Sequence, residues 1–325
     1  MNDTGGKSGR EVARRVLTPR KIVVQAIGFV IGSILLAWCI WTAITNGEWE
    51  RLENAEWWMV AALIGCSFIS AIINGTIFWR TAWPLKRMKW IDLQSINLTA
   101  SLLNYAPIRL GLVFRYMYHY RMDGLGIIPI TTWFVAVTLV LFACVSGAIM
   151  TTIIHPHLDI TWALLLIAWV IVSAAILWTA ARTEAARRIA RGREQLLADT
   201  RTLVANYLLR MCDLAAWTAR MTIAAMILDL PLTMAETFLI SMAAIALSLN
   251  PLGRFGFREA TVAIVAGHIV SERMDGDLEG TMAQLALVES AGEAVINIGL
   301  GLVAAIWVGY RWNTREQEDD QSDGR

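Results

Sequence analysis

The sequence predicts an all-α, polytopic membrane protein built as an inverted repeat, and three observations carry that prediction. Hydrophobic residues make up 56% of the chain against 17% charged, with a mean hydropathy of +0.51, far from the profile of a soluble domain. Several apolar runs reach the roughly 20 residues that cross a hydrocarbon core of about 30 Å. Finally, residues 103–115 (LNYAPIRLGLVFR) and 248–260 (SLNPLGRFGFREA) share one grammar. Each has a Leu-Asn opening, a proline, an Arg-x-Gly and a further arginine.

In chain order, residues 1–21 form a basic N-terminal segment ahead of a first span at 22–45. That run is too long for a signal-peptide core and lacks a small-residue cleavage site, so it belongs to the mature protein. An acidic loop (46–56) leads to a second span at 57–79, with tryptophans at its ends as interfacial anchors, and then to a basic turn at 80–89. The runs 91–105 and 112–122 are each too short and polar to cross alone. With the break between them they predict a helical hairpin dipping into the membrane. A third span (127–154), a His-Pro-His turn and a fourth span (160–181) follow, then the most basic loop, 182–201, expected to be a solvated helix at the headgroups. A fifth span covers 202–228, a second broken pair 234–249 and 255–270, and a sixth span 282–312. The acidic tail 313–325 is expected to be disordered.

The segments 1–21, 80–89 and 182–201 hold six, four and six lysines and arginines, against one, none and one in 46–56, 155–159 and 271–280. The positive-inside rule therefore places both termini in the cytoplasm. Each half (about 22–158 and 159–312 of one transmembrane domain) has three crossings plus a broken pair, so the second half is inserted upside down. Six spans with two broken pairs, or eight spans if each pair crosses fully, give the same inversion.

Broken helices at membrane depth are tolerated where they line a cavity, as in transporters. The breaks hold Pro107 and Gly111 in the first copy and Pro251, Gly253 and Gly256 in the second. Arg109, Arg115, Arg254 and Arg258 flank them and are expected to converge on one cavity, where they would bind a headgroup. Asn104 and Asn250 beside the prolines would cap the half-helices or join that site. Ionisable groups at this depth normally face a partner or a wet cavity. Glu289, Glu293 and Asn297 form one stripe on the last span. Like charges one turn apart repel unless cations or protonation relieve them. Glu293, the deeper of the two, is the candidate proton-coupling group, and Glu259 is expected to pair with Arg258 or Arg254. Arg210, Asp213 and Arg220 share a face of the fifth span, where Arg210–Asp213 pairing would lock helices without transport.

Four cysteines sit in apolar runs without ligand spacing, and the four histidines are scattered and expected at membrane edges. No metal or cofactor motif, phosphate loop or hydrolase elbow appears, so neither cofactor nor catalysis is expected. The net charge of +1 gives no indication of nucleic-acid binding.

Taken together, NYAPIRLGLVFR and NPLGRFGFRE resemble the transmembrane, flippase-like domain of lysylphosphatidylglycerol synthase, over about residues 20–312. That family carries Pro-Gly-(Arg)-x-Gly-Glu-x-x-Arg in the first break and Pro-x-x-x-Gly-x-Arg-Glu in the second. Pro251, Gly256, Arg258 and Glu259 match the second pattern. The first departs at Ile108, where glycine is usual, and at Leu112, where an acid often stands, so Arg109 and Arg115 carry over and the acid does not. The resemblance implies movement of an anionic or phosphate-linked lipid (a phospholipid, a polyprenyl-phosphate-linked lipid or a hopanoid-type lipid) across the cytoplasmic membrane. It implies no aminoacyl transfer, because the soluble transfer domain is absent. Two other classes fit the charged breaks. A membrane-embedded transferase would need an acid or histidine pair near a nucleophile. A non-transporting partner of an envelope-biosynthesis enzyme would tolerate loss of the break arginines.

Overall fold

The computed structural model describes residues 19–47, 49–106, 110–190, 195–248, 256–270 and 278–323. All regular structure among them is helical. The helices are α1 (Pro19–Asn46), α2 (Trp49–Glu53), α3 (Trp57–Ala82), α4 (Trp90–Leu103), α5 (Leu110–Arg121), α6 (Ile127–Ile154), α7 (Ile160–Ala181), α8 (Glu184–Ala190), α9 (Gln195–Ala198), α10 (Thr200–Ile227), α11 (Met234–Ser248), α12 (Phe257–Val270) and α13 (Leu278–Asp323).

Among the described residues five helices are long and apolar enough to cross a membrane: α1, α3, α6, α7 and α13. The chain is a multi-pass membrane protein. The expected fifth span, α10, has the length (28 residues) but not the apolarity, because it carries Arg210, Asp213 and Arg220. Its charges are bearable because it is interior, packing on α3, α6, α7, α11 and α13. Helix α7 is the opposite case: only Leu166 and Ala181 are buried, one side from Trp162 to Trp178 is partly buried against the core, and the other apolar side faces outward.

Among the described residues the four helices of the two broken pairs each fall short of a full crossing. At 1.5 Å per residue, α4, α5, α11 and α12 are each roughly 18–22 Å long, less than the hydrocarbon core. Helix α5 folds back along α4, with Gly111 pressed on the Ala100 carbonyl, Arg115 reaching Asn97, and Tyr118 packed with Ile96. Helix α12 packs along α11 in the same way. Both pairs are re-entrant hairpins.

Helix pairings repeat between halves. Helix α3 packs on α4 as α10 does on α11, and α6 packs on α7 and α11 as α13 does on α1 and α4. The α3–α10 contact joins the two equivalent second spans across the centre. At one end Arg51 donates to the Leu228 carbonyl at 2.6 Å, Gly280 abuts the Asn46 backbone, and Trp162 meets Phe238. At the other, Lys86 pairs with Asp123, Arg311 with Asp92, and Leu196 joins the core beside Ala82 and Leu93. Helix α1 ends where α7 begins, and the first hairpin opens toward the second end while the second opens toward the first. This is an inverted repeat.

One expectation fails here. The tail is not irregular: α13 stays helical to Asp323, since Arg, Glu and Gln are good helix formers and propagate the preceding span. His119 lies near the end marked by Asp123, as an edge histidine would, but it is 1% exposed, hydrogen-bonded to Asp123 and packed on Trp133.

Candidate functional site

The charges of the two halves meet in a cage at the centre. Arg220 of α10 donates from Nε to Glu289 Oε1 at 2.7 Å and from Nη2 to Glu293 Oε2 at 3.2 Å. Arg258 of α12 donates to the same two residues, at 2.8 Å to Glu293 Oε2 and also to Glu289 Oε2. The stripe on α13 is therefore neutralised by two arginines from two other helices, so the expected repulsion between its carboxylates is relieved. Both guanidiniums also lie over the Trp217 ring, at 4.4 Å and 4.7 Å from its centroid, adding a cation–π contact in a desolvated setting. Ser67 Oγ accepts from Arg220, and Asn297 donates to Glu293 Oε1 at 3.0 Å.

Arg210 and Arg220 do not act as one face. Arg210 pairs with Asp213 at 2.7 Å, and Asp213 also accepts from Ser70 of α3 at 2.6 Å. This is the helix-locking pair foreseen from the i, i+3 spacing. Glu259 does not pair with Arg258 either. Its Oε2 accepts from the Gly256 amide at 2.8 Å, closing the first turn of α12 as in a capping box. Gly256 is required there: its φ is +80°, and a Cβ would run into the backbone carbonyl of Gly32 on α1.

Two cavities flank the cage. The first, about 320 Å³, takes Asn104 and Ser101 from the first hairpin, Arg258 and Glu259 from the second, Ser290 from α13, and an apolar wall from Leu36 and Ile40 of α1. Arg258 Nε is buried there without a hydrogen-bond acceptor. The second, about 270 Å³, is lined by Ser70, Asn74, Asn97, Arg220, Glu293 and Asn297, and Ser101 borders both. Glu289 is 1% exposed and Glu293 8%, and Glu293, the nearer of the two to the middle of the span Gly280–Thr314, is the carboxylate that lines the second cavity.

Of the break arginines, the two among the described residues, Arg115 and Arg258, do not meet in a single cavity. Arg115 donates to Asn97 Oδ1 at 2.5 Å and stacks over Phe78 at 4.5 Å, on the second-cavity side, whereas Arg258 lines the first. The reason is the hairpin itself, which sends Arg115 back along α4 toward Asn97 instead of outward past the break. Asn104 occupies the C-cap of α4, with its side chain against Gly111. Arg109, Arg254, Asn250, Pro107, Pro251 and Gly253 lie outside the described residues.

Sequence reasoning overlooked the partners. Trp217 is one turn from Arg220, and Ser67, Ser70 and Asn74 fall at i, i+3 and i+7 on α3, a polar stripe within an otherwise apolar span. That stripe was the available signal. Among the described residues no cluster of histidines, cysteines or acids has metal-binding geometry. No family model matches this chain, and no curated protein matches it.

Proposed function

We propose that this chain moves an anionic or phosphate-linked lipid between the leaflets of the cytoplasmic membrane, with both termini on the cytoplasmic side. The observation that carries this reading is the first cavity, where groups from both hairpins meet an apolar wall. A pocket of a few hundred Å³, apolar with a few convergent polar groups, is the usual form of a small-molecule site. Ile40 on its wall is 41% exposed, which suits acyl chains that stay in the lipid while the headgroup reaches Arg258. A phosphate oxygen would take the place of a carboxylate on that guanidinium, with charge-assisted hydrogen bonds of similar strength. The carboxylate released would keep its hydrogen bond to Arg220, which both glutamates already share. The resemblance to the flippase-like family supports the same lipid class.

The test is transbilayer movement in proteoliposomes of fluorescently tagged phosphatidylglycerol, with tagged phosphatidylcholine as control and a membrane-impermeant quencher as readout. Protein-dependent movement of the anionic lipid, lost in Arg258→Gln, is the expected result. Movement equal to protein-free liposomes would overturn the reading.

One observation favours a second reading. The cage is fully compensated, two arginines against two glutamates, as a static helix lock would be. A non-transporting partner of an envelope enzyme would keep that lock and show no lipid movement, and the enzyme would co-purify with it.

A further inference from the structure

A separate cleft lies at the end of the molecule where Lys86, Asp123 and Arg311 gather. It measures about 720 Å³ and shares no lining residue with the two central cavities. Four cations, Lys86, Arg87, Lys89 and Arg311, line it with two acids, Asp92 and Asp123. The acids are each engaged: Lys86 pairs with Asp123 at 3.3 Å, and Arg311 pairs with Asp92. Among the described residues no carboxylate lies within ion-pair distance of Arg87 or Lys89, both of which are exposed, so the cleft keeps an excess of two positive charges.

Its position is as telling as its charge. Along α13 an outward apolar stripe runs through Val295, Ile298, Leu302 and Ile306, the last 75% exposed. The stripe ends at Trp307 and Tyr310, which form one wall of the cleft, as aromatic side chains do at headgroup depth. Lipid-facing apolar surface thus leads directly into a cationic recess.

We propose that this cleft is a lipid site in its own right, holding the phosphate headgroup of an anionic phospholipid while its acyl chains lie along α13. Arg87 and Lys89 supply the uncompensated charge. The phosphate chemistry alone would also suit a soluble phosphate ester, but the apolar stripe selects the membrane lipid, because an ester without chains gains nothing from it.

The experiment uses the full chain purified in detergent and three probes: dihexanoylphosphatidylglycerol, dihexanoylphosphatidylcholine and sn-glycerol 3-phosphate. Each is titrated against wild type, Arg87→Gln/Lys89→Gln, Arg258→Gln, and the three substitutions combined. Phosphatidylglycerol should bind, and Arg87→Gln/Lys89→Gln should weaken it about tenfold or more, in both the wild-type and the Arg258→Gln background. All variants should keep the wild-type melting temperature apart from any change due to Arg258. Equal binding of glycerol phosphate would identify a soluble ligand and overturn the proposal, as would equal binding of phosphatidylcholine. A loss seen only while Arg258 is present would assign the binding to the central cavity, and unchanged binding would leave the cleft without a lipid.

Discussion

Arg258 Nη1, on the re-entrant helix α12, lies 2.8 Å from Glu293 Oε2 on α13. The contact ties the second broken hairpin to the final span, and through Glu293 also to Arg220 of α10. Helix α12 is thus held to its neighbours by a buried charge pair as well as by packing on α1, α11 and α13.

The cage should be strongly coupled. Removing one member leaves a buried charge without its partner, which typically costs about 3–5 kcal/mol. Glu289→Ala should therefore lower the melting temperature of the purified protein sharply, while Arg258→Gln/Glu289→Gln, which removes one charge of each sign, should be milder than the two single changes summed. A double-mutant cycle in detergent measures this. Strict additivity would mean that these residues do not share a network.

Gly256 and Gly299 give a paired test of backbone constraint. At Gly256 alanine meets both a left-handed φ and the Gly32 carbonyl, so Gly256→Ala should cost about 1–3 kcal/mol or more and reduce the folded fraction on size-exclusion chromatography. Gly299 has open space around its Cα, and Gly299→Ala should be neutral or slightly stabilising through helix propensity. Equal behaviour of the two variants would refute the close α12–α1 approach.

Asp123 gives a pH dependence. Burial pushes its carboxyl up, but the hydrogen bond and charge of His119, together with Lys86, outweigh burial and hold it below its ordinary 3.8. A carboxyl lowered in the folded state contributes stability that is fully present above its unfolded value and lost as pH falls through the folded one. Melting temperature should therefore drop on acidification below about pH 4, and Asp123→Asn should be less stable near neutrality with a shallower acid slope. An unchanged slope would show that the Asp123 pairing does not stabilise the fold.

Sidedness follows from the grouping of loop ends. In a cysteine-free background, Asn54→Cys and Asp229→Cys should label from one side of the membrane, and Lys86→Cys and Thr314→Cys from the other. From the charge bias the second pair should be the one labelled from the cytoplasmic side. Labelling of Asn54→Cys and Lys86→Cys from one side would contradict the inverted arrangement.

The sequence by itself determined the membrane class, the span order and the inversion, because those follow from one-dimensional quantities. Apolar runs of fixed length at 127–154 and 160–181 became α6 and α7 with the same bounds, and the runs on either side of each Pro/Gly break became paired short helices. The i, i+3 spacing was enough for Arg210–Asp213, since one helix sets that geometry. Partnerships between helices were decided only by the tertiary structure. That Arg220 belongs with Glu289 and Glu293, 69 and 73 residues away, depends on how α10 and α13 rotate against each other, which no local period encodes. The same holds for Glu259, which caps α12 through the Gly256 amide and does not reach Arg258, and for Arg115, which the fold-back of α5 carried to Asn97 and away from Arg258. The charges at membrane depth were legible from their cost in lipid; which opposite charge met that cost was a matter of packing.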